Sequence, residues 1–423
     1  MNRICVIGAG YVGLTTAACF AHLGNNVISS DINENRVRSL TNGELPLVED
    51  GLAELVARYL ASGDLSFTTD NNTAVAQADF VFLCLPTPEG PNGRADMSHV
   101  LAVATAIGPH LKVGAVVVNK STVPIGSVNA VRQALQRQDV QVVSNPEFLR
   151  EGTALHDFLN PDRVVIGADD EEAAIRLSSL YVKLGAPIVV TDAATAETIK
   201  YASNAFLATK LSFVNALAAL CESVGADVRQ VTLGMGYDPR VGSSFLKPGP
   251  GWGGSCFPKD VAALIGMAED AGYDFTLLKG VVTINDLQHQ RIVEKVVRMA
   301  GGTIDGKTVA LLGLTFKANT DDLRESPALK IAALLTELGA HVVGYDPTVR
   351  ANLEELAVVD DPYTACTGAV AVVVATEWDE FRWLDFEKLG SVMERRVVVD
   401  TRNLLDATMA RKAGFTYEGI GIR

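Results

Sequence analysis

The stretch Arg3-Ile4-Cys5-Val6-Ile7-Gly8-Ala9-Gly10-Tyr11-Val12-Gly13 decides the fold. A short β-branched run, residues 4–7, enters a G-x-G-x-x-G turn, and residues 12–23 continue with apolar side chains at helical spacing. The next strand-like run, residues 26–30, ends at Asp31, 18 residues beyond Gly13. Strand, glycine turn, helix, strand and acid in that order form the dinucleotide-binding fingerprint. Gly8 permits the tight turn, Gly10 lets backbone approach a pyrophosphate, and Gly13 lets helix and strand pack closely. Tyr11 and Val12 open the helix, whose N-terminal amides favour phosphate. Asp31 is placed to accept hydrogen bonds from a ribose diol and to repel a 2′-phosphate, which favours NAD over NADP; Arg36 tempers that preference slightly.

Working outward, residues 80–85, 116–119 and 140–144 read as further buried strands between helical patterns. Such βαβα alternation implies a parallel sheet covered on both faces. From about 195 to 224 the pattern is helical with no proline, and about 30 residues at 1.5 Å each is a helix of about 45 Å, longer than a small domain is wide. Helical patterns resume at 259–271 and 277–299. After Gly301-Gly302 the alternation returns, with strands at 308–313 and 341–345 around a helix at 327–338 that Gly339 closes. The expected fold is α/β: two doubly wound, Rossmann-like parallel-sheet domains joined by a helical central domain with a long connecting helix. The expected boundaries are 1–192, 193–300 and 301–423.

Composition narrows the partners. Of 423 residues 48% are apolar, and Asp plus Glu outnumber Lys plus Arg by 50 to 36, a formal charge of −14. A surface this acidic disfavours nucleic acid and anionic membranes as partners, although local amides and cations still bind small anions. The apolar runs, such as 370–375, fall short of the roughly 18 residues of a membrane span, and the N-terminus lacks a signal-peptide pattern. A cytoplasmic protein is expected. The six cysteines are dispersed without a C-x-x-C pair, and the histidines show no metal-binding spacing, so thiols and no metal are expected.

The densest unusual chemistry lies in Gly249-Pro250-Gly251-Trp252-Gly253-Gly254-Ser255-Cys256-Phe257-Pro258-Lys259-Asp260. The glycines and prolines enforce a tight loop, and Pro258 suits the first turn of a following helix. Cys256 thus sits at a helix N-terminus with Lys259 nearby, two features that favour the nucleophilic thiolate. The other cysteines, 5, 19, 84, 221 and 366, lie in apolar periodic segments and read as small core residues.

The run 253–260 resembles the nucleophile motif of the UDP-glucose/GDP-mannose dehydrogenase family. Three further segments agree in order: Lys120-Ser121-Thr122-Val123-Pro124, Asn145-Pro146-Glu147-Phe148-Leu149-Arg150-Glu151-Gly152, and Phe316-Lys317 with Arg324-Glu325-Ser326. The similarity spans essentially the whole chain, and the Glu151-Gly152 pair with Asn160-Pro161-Asp162-Arg163 is similar to the glucose branch.

The resemblance implies oxidation of a primary alcohol to a carboxylate in two hydride transfers to NAD, with Cys256 trapping the aldehyde as a thiohemiacetal and then carrying a thioester. It implies UDP-glucose converted to UDP-glucuronate, with GDP-mannose or a UDP-N-acetylhexosamine as alternatives. By the same resemblance Lys200 and Asn204, four residues apart on one helix face, stabilise the oxyanion at the sugar C6. Asp260 is the water- or base-assisting carboxylate, and Glu147 and Thr122 position water and shuttle protons. Pro86, Thr87, Thr122, Glu151 and Arg324 are implied along the cofactor. Phe148, Leu149, Arg150, Glu151, Phe245, Leu246, Gly253, Lys317 and Arg402 are implied at the UDP-sugar. Arg240 is implied to reach a neighbouring subunit's site, in a homodimer built on the long helix. One departure stands in the loop, where Trp252 replaces the more usual Tyr or Phe.

Two other classes compete. A two-electron hydroxyacid dehydrogenase needs no nucleophilic thiol in a Gly/Pro loop, so Cys256 argues against it. A non-catalytic NAD-binding protein is expected to have lost one or more of Cys256, Lys200, Asn204 or Asp260, and all four are present.

Overall fold

The computed structural model describes every residue except Pro46, Pro91, Asn92, Glu354, Glu355 and Arg423. The fingerprint strand β1 (Arg3–Ile7) lies inside an eight-stranded sheet. Its other strands are β2 (Asn26–Ser30), β3 (Leu65–Thr68), β4 (Phe80–Leu83), β5 (Val116–Asn119), β6 (Gln141–Ser144), β7 (Val164–Gly167) and β8 (Ile188–Thr191), in the order β3-β2-β1-β4-β5-β6-β7-β8. The first six strands are parallel.

Strand periodicity sorts the core onto the two faces. Cys5, Ile7, Val81, Leu83 and Val117 point to one side, where they meet Val100, Ile107 and Val131. Ile4, Val6, Phe82 and Val118 point to the other, where Phe20, Phe158 and Tyr181 gather. Phe20 stacks there on Phe82 with ring centroids 4.8 Å apart. Burial on both faces is why these strands are near-continuous apolar runs.

One junction of the first sheet is not parallel. β7 meets β6 antiparallel through a single bridge, Ser144 to Gly167, and β8 then pairs parallel to β7. The connection from β6 holds the loop around Glu147 and only a six-residue helix, Ala154–Leu159, so it returns to the sheet in the opposite sense instead of making a right-handed crossover.

The second sheet comprises β9 (Thr308–Leu312), β10 (His341–Tyr345), β11 (Ala357–Val358), β12 (Ala369–Val374), β13 (Val397–Asp400) and β14 (Thr416–Gly419). It is parallel throughout, in the order β11-β10-β9-β12-β13-β14. This repeats the order of the first six strands of the first sheet. The echo reaches single residues: Gly8 and Gly313 each follow the first strand with φ of 99° and 88°. A Cβ on Gly8 would lie 2.2 Å from the Cys84 carbonyl, and one on Gly313 would lie 2.3 Å from Thr376.

By contacts the chain divides into two compact units, Met1–Ser203 with Ala262–Gly272, and Asn204–Val261 with Tyr273–Arg423. The 32-residue helix Ala193–Val224 contributes residues to both. Among the described residues it alone is long and apolar enough to cross a membrane. Its buried polar residues, however, are met by protein: Glu197, Lys200, Asn204, Ser212 and Asn215 all bond to other segments of the chain.

Candidate active site

The first unit carries the dinucleotide loop. Gly8 N–H donates to the Ser30 carbonyl at 2.7 Å, closing the turn. A Cβ on Gly13 would lie 1.7 Å from the Gly8 carbonyl, whereas nothing lies within 4 Å of one on Gly10. Gly10 is therefore the position with room for a ligand against the backbone. It also caps the helix Tyr11–His22 without a side-chain hydrogen bond, which leaves the first-turn amides for phosphate. Asp31 accepts from Ala9 N–H at 2.8 Å and Asn33 N–H at 2.9 Å, and Arg36 meets it at 3.1 Å. Uncapped helix, open Gly10 and oriented carboxylate fit NAD. Burial, then the carboxylates of Glu49, Glu147 and Glu151, push the Tyr11 phenol well above its ordinary range.

The same unit holds half of the expected catalytic set. Lys200 Nζ lies 2.9 Å from Glu147 Oε1 and 5.4 Å from the centroid of the Phe148 ring. Leu149 N–H donates to Glu147 Oε2 at 2.6 Å. Burial alone would raise the Glu147 carboxyl; the Lys200 ammonium, the Leu149 amide and Lys120 outweigh it and hold it below the usual range. Thr87 Oγ1 donates to the Thr122 carbonyl at 2.7 Å, so these two adjoin as expected. Pro86 is exposed and Glu151 half-buried. Arg150 forks onto Asp157, with Nε 2.9 Å and the second nitrogen 2.5 Å away.

Two buried groups here were not assigned roles from the sequence. Lys120, whose pKa burial lowers, donates to Asn145 Oδ1 at 3.2 Å, an oxygen that also accepts from the Tyr181 hydroxyl. Glu197, three residues before Lys200, accepts from Gly126 N–H at 2.6 Å and Val128 N–H at 3.2 Å, and so holds the end of the Thr122 segment. The available signal was a charged residue on the apolar side of a helix.

The second unit carries the cysteine loop. Cys256 immediately precedes the helix Phe257–Asp270, and its carbonyl accepts from Asp260 N–H at 2.9 Å, the first intrahelical bond. The thiol is half-buried, with Ser255 Oγ 3.5 Å away, and at this position it faces the helix's N-terminal dipole. Cys5, Cys19, Cys84, Cys221 and Cys366 are buried, and burial raises Cys5, Cys84 and Cys366 to about 12. Asp260 is fully buried; Asn204 Nδ2 donates to one oxygen at 2.6 Å and Lys259 Nζ to the other at 2.7 Å. The Lys259 ammonium is thus engaged by Asp260.

Around this loop the second unit places several of its expected substrate residues. A Cβ on Gly253 would strike the Glu325 carbonyl at 1.9 Å, and one on Gly254 the Phe316 ring at 2.8 Å. Gly254 N–H donates to the Arg324 carbonyl, and Lys317 Nζ lies 5.5 Å from the Phe316 centroid. Arg402 donates to the carbonyls of Ala375 and Phe316, pairs with Glu377 at 2.9 Å, and lies 3.2 Å from a Cβ built on Gly249. Phe245 holds a left-handed φ of 61° and Leu246 is buried. Arg324 forks onto Asp322. Arg240 stands apart, 89% exposed and paired with Asp238.

A dinucleotide fold, a half-buried thiol at a helix N-terminus and a second nucleotide-type sheet define the class: a dehydrogenase that handles a nucleotide-bearing substrate. Comparison with known proteins makes it particular. The NAD binding domain of the UDP-glucose/GDP-mannose dehydrogenase family matches residues 2–185, its central domain 194–287, and its UDP binding domain 310–407. UDP-glucose 6-dehydrogenase of Rhizobium meliloti is 46% identical over 433 residues, covering 99% of each chain. UDP-glucose 6-dehydrogenase TuaD of Bacillus subtilis is 43% identical, over 100% of this chain and 93% of its own. The structure of a UDP-glucose dehydrogenase from Pyrobaculum islandicum superposes with a TM-score of 0.93 at 39% identity, covering 100% and 98% of the two chains. The chain belongs to the UDP-glucose/GDP-mannose dehydrogenase family, and its cofactor is NAD.

Proposed function

We propose that the protein is a UDP-glucose 6-dehydrogenase that oxidises UDP-glucose to UDP-glucuronate. The observation that carries the mechanism is Cys256 itself: alone among the six cysteines it is not buried, it precedes a helix, and Asp260 in the next turn is held by Asn204 and Lys259. Support for the glucose substrate comes from the full-length relatives named above.

When bound, NAD⁺ accepts the hydride in each of two oxidations, so one sugar consumes two cofactors. The chain's own residues do the rest. Asp31, the Gly10 backbone and the first-turn amides of the helix Tyr11–His22 would hold the dinucleotide, with Arg36, Pro86, Thr87, Glu151 and Arg324 along it. Lys200 and Asn204 donate toward the C6 oxygen as negative charge develops there. The Cys256 thiolate adds to the aldehyde carbon, giving a hemithioacetal, which a second oxidation converts to a thioester. Water, oriented by Glu147 and Thr122 with Asp260 as the assisting carboxylate, then attacks the thioester carbonyl; the C–S bond breaks, the acid leaves and the thiolate is regenerated. Lys317, Arg402 and the 245–253 loop bind the sugar nucleotide, while Phe148, Leu149 and Arg150 line the sugar.

In this reading residues 1–192 bind NAD, 193–300 carry the thiol loop and the dimer contact, and 301–423 bind the UDP moiety. The exposed side chains Phe206, Phe213 and Leu220, seven residues apart on one face of the long helix, support a homodimer, with Arg240 reaching the partner's site. The absence of any disulfide among the six cysteines suits a reducing compartment, and we place the enzyme in the cytoplasm. The test is kcat/KM across UDP-glucose, GDP-mannose and UDP-N-acetylhexosamines with NAD⁺. UDP-glucose is expected to lead by at least 100-fold; a lead by another sugar refutes the substrate, and silence with all of them refutes the enzyme.

A further inference from the structure

Behind the 245–253 loop lie four buried polar side chains that no catalytic role accounts for. Ser212 and Asn215 sit on the helix Ala193–Val224, Asn285 and Gln288 on the helix Thr276–Met299, and none is more than 3% exposed. Two helices that needed only to pack would place apolar residues at these positions.

Each side chain is committed to the loop. Asn285 pairs with Trp252 as a neighbouring strand would: its Oδ1 accepts from Trp252 N–H at 2.8 Å and its Nδ2 donates to the Trp252 carbonyl at 3.1 Å. Gly249 is held likewise from two sides, its N–H donating to Asn215 Oδ1 and its carbonyl accepting from Gln288 Nε2, both at 2.8 Å. The Trp252 indole N–H donates to Ser212 Oγ at 2.9 Å, and that hydroxyl donates onward to the Val281 carbonyl. Between the clamps Gly251 adopts a φ of 127°, and a Cβ there would lie 2.6 Å from His289 Nε2 and 2.9 Å from Asn285 Oδ1. The backbone is therefore seated hard against the side chains that bind it.

A Gly/Pro loop has no ladder of its own, and ordering it on ligand arrival would cost binding free energy for every residue fixed. We infer that Asn215, Asn285 and Gln288 are positioning residues that fix the Gly249–Trp252 backbone in advance, so the sugar nucleotide meets a preformed surface. The inference rests on reading the 245–253 loop as the substrate loop.

Gln288→Leu removes the donor to Gly249. Asn285→Asp keeps the acceptor for Trp252 N–H, loses the donor, and serves where the leucine variant fails to fold. Hydrogen exchange of the loop amides without ligand is expected to be slow in the parent and at least tenfold faster in either variant, and to slow again on adding UDP. KM for UDP-glucose is expected to rise tenfold or more while KM for NAD⁺ changes less than twofold. Equal exchange in parent and variants, faster exchange with an unchanged UDP-glucose KM, or equal rises in both KM values overturn the inference. A parent that turns over no UDP-glucose overturns instead the reading beneath it.

Discussion

Asp31 and Asp346 occupy the same place in the two sheets, just beyond β2 and β10, and they do different work. Asp346 is fully buried and saturated from within, accepting from the amides of Leu314 and Thr315, the Thr315 hydroxyl and the Trp378 indole. Asp31 has one side-chain partner, Arg36, itself 37% exposed. We propose that the first carboxylate meets a ribose; the second is plugged by its own domain. Asp31→Ala is expected to lower kcat/KM for NAD⁺ by about 10- to 100-fold, the range for lost hydrogen bonds to a charged group, and to leave NADP⁺ no worse because Arg36 is released. Unchanged discrimination assigns it elsewhere. At this scale the sequence was informative where residue types recur at a fixed spacing: Gly8, Gly10, Gly13 and Asp31 belong to one fingerprint, and Cys256 to one Gly/Pro loop. Asn215, Asn285 and Gln288 were silent because the backbone they hold is 33 to 39 residues away.

At the scale of elements, the helix Ala193–Val224 does the most. Its first turns present Glu197 to the amides at Gly126 and Val128 and Lys200 to Glu147. Burial pushes the Glu197 carboxyl from 4.5 up to about 7, against those amides. The folded protein therefore keeps a proton that the unfolded chain releases between about 4.5 and 7. The stabilisation is full below that window and is lost as pH rises through it. Between pH 5 and pH 8 the unfolding free energy of the parent is expected to fall by about 2.5 kcal/mol more than that of Glu197→Gln, since most of that titration lies within this window. Urea unfolding at the two pH values measures this, and an equal fall in both proteins removes Glu197 as the titrating group. The long helix and the strands at 26–30, 116–119 and 341–345 were legible from unbroken periodicity. The reversed β7 was not, because a four-residue apolar strand carries no mark of its direction.

At the scale of the whole molecule, the formal charge of −14 stands beside two anionic ligands. We propose that their binding rests on local features: the uncapped helix at Gly10 for one, and Lys317, Arg402 and the loop held by Asn215, Asn285 and Gln288 for the other. The repeated strand order shows how such a protein is built, since one sheet plan recurs in the NAD binding and the UDP binding domains. That repeat was readable in the sequence as strand, glycine, helix, strand and acid, even though the residues themselves differ. The apolar stripe of Phe206, Phe213 and Leu220 is expected to yield a species of about twice the 44.9 kDa chain mass in sedimentation, and Phe213→Glu a shift toward monomer; a parent that sediments as a single chain contradicts the dimer. The central claim is that one thiol couples two oxidations, and its most direct test is to count NADH formed per UDP-glucose consumed. Two NADH and one UDP-glucuronate per sugar are predicted, with acid release abolished in Cys256→Ser; one NADH per sugar, or a serine variant that makes the acid at the parent rate, contradicts the account.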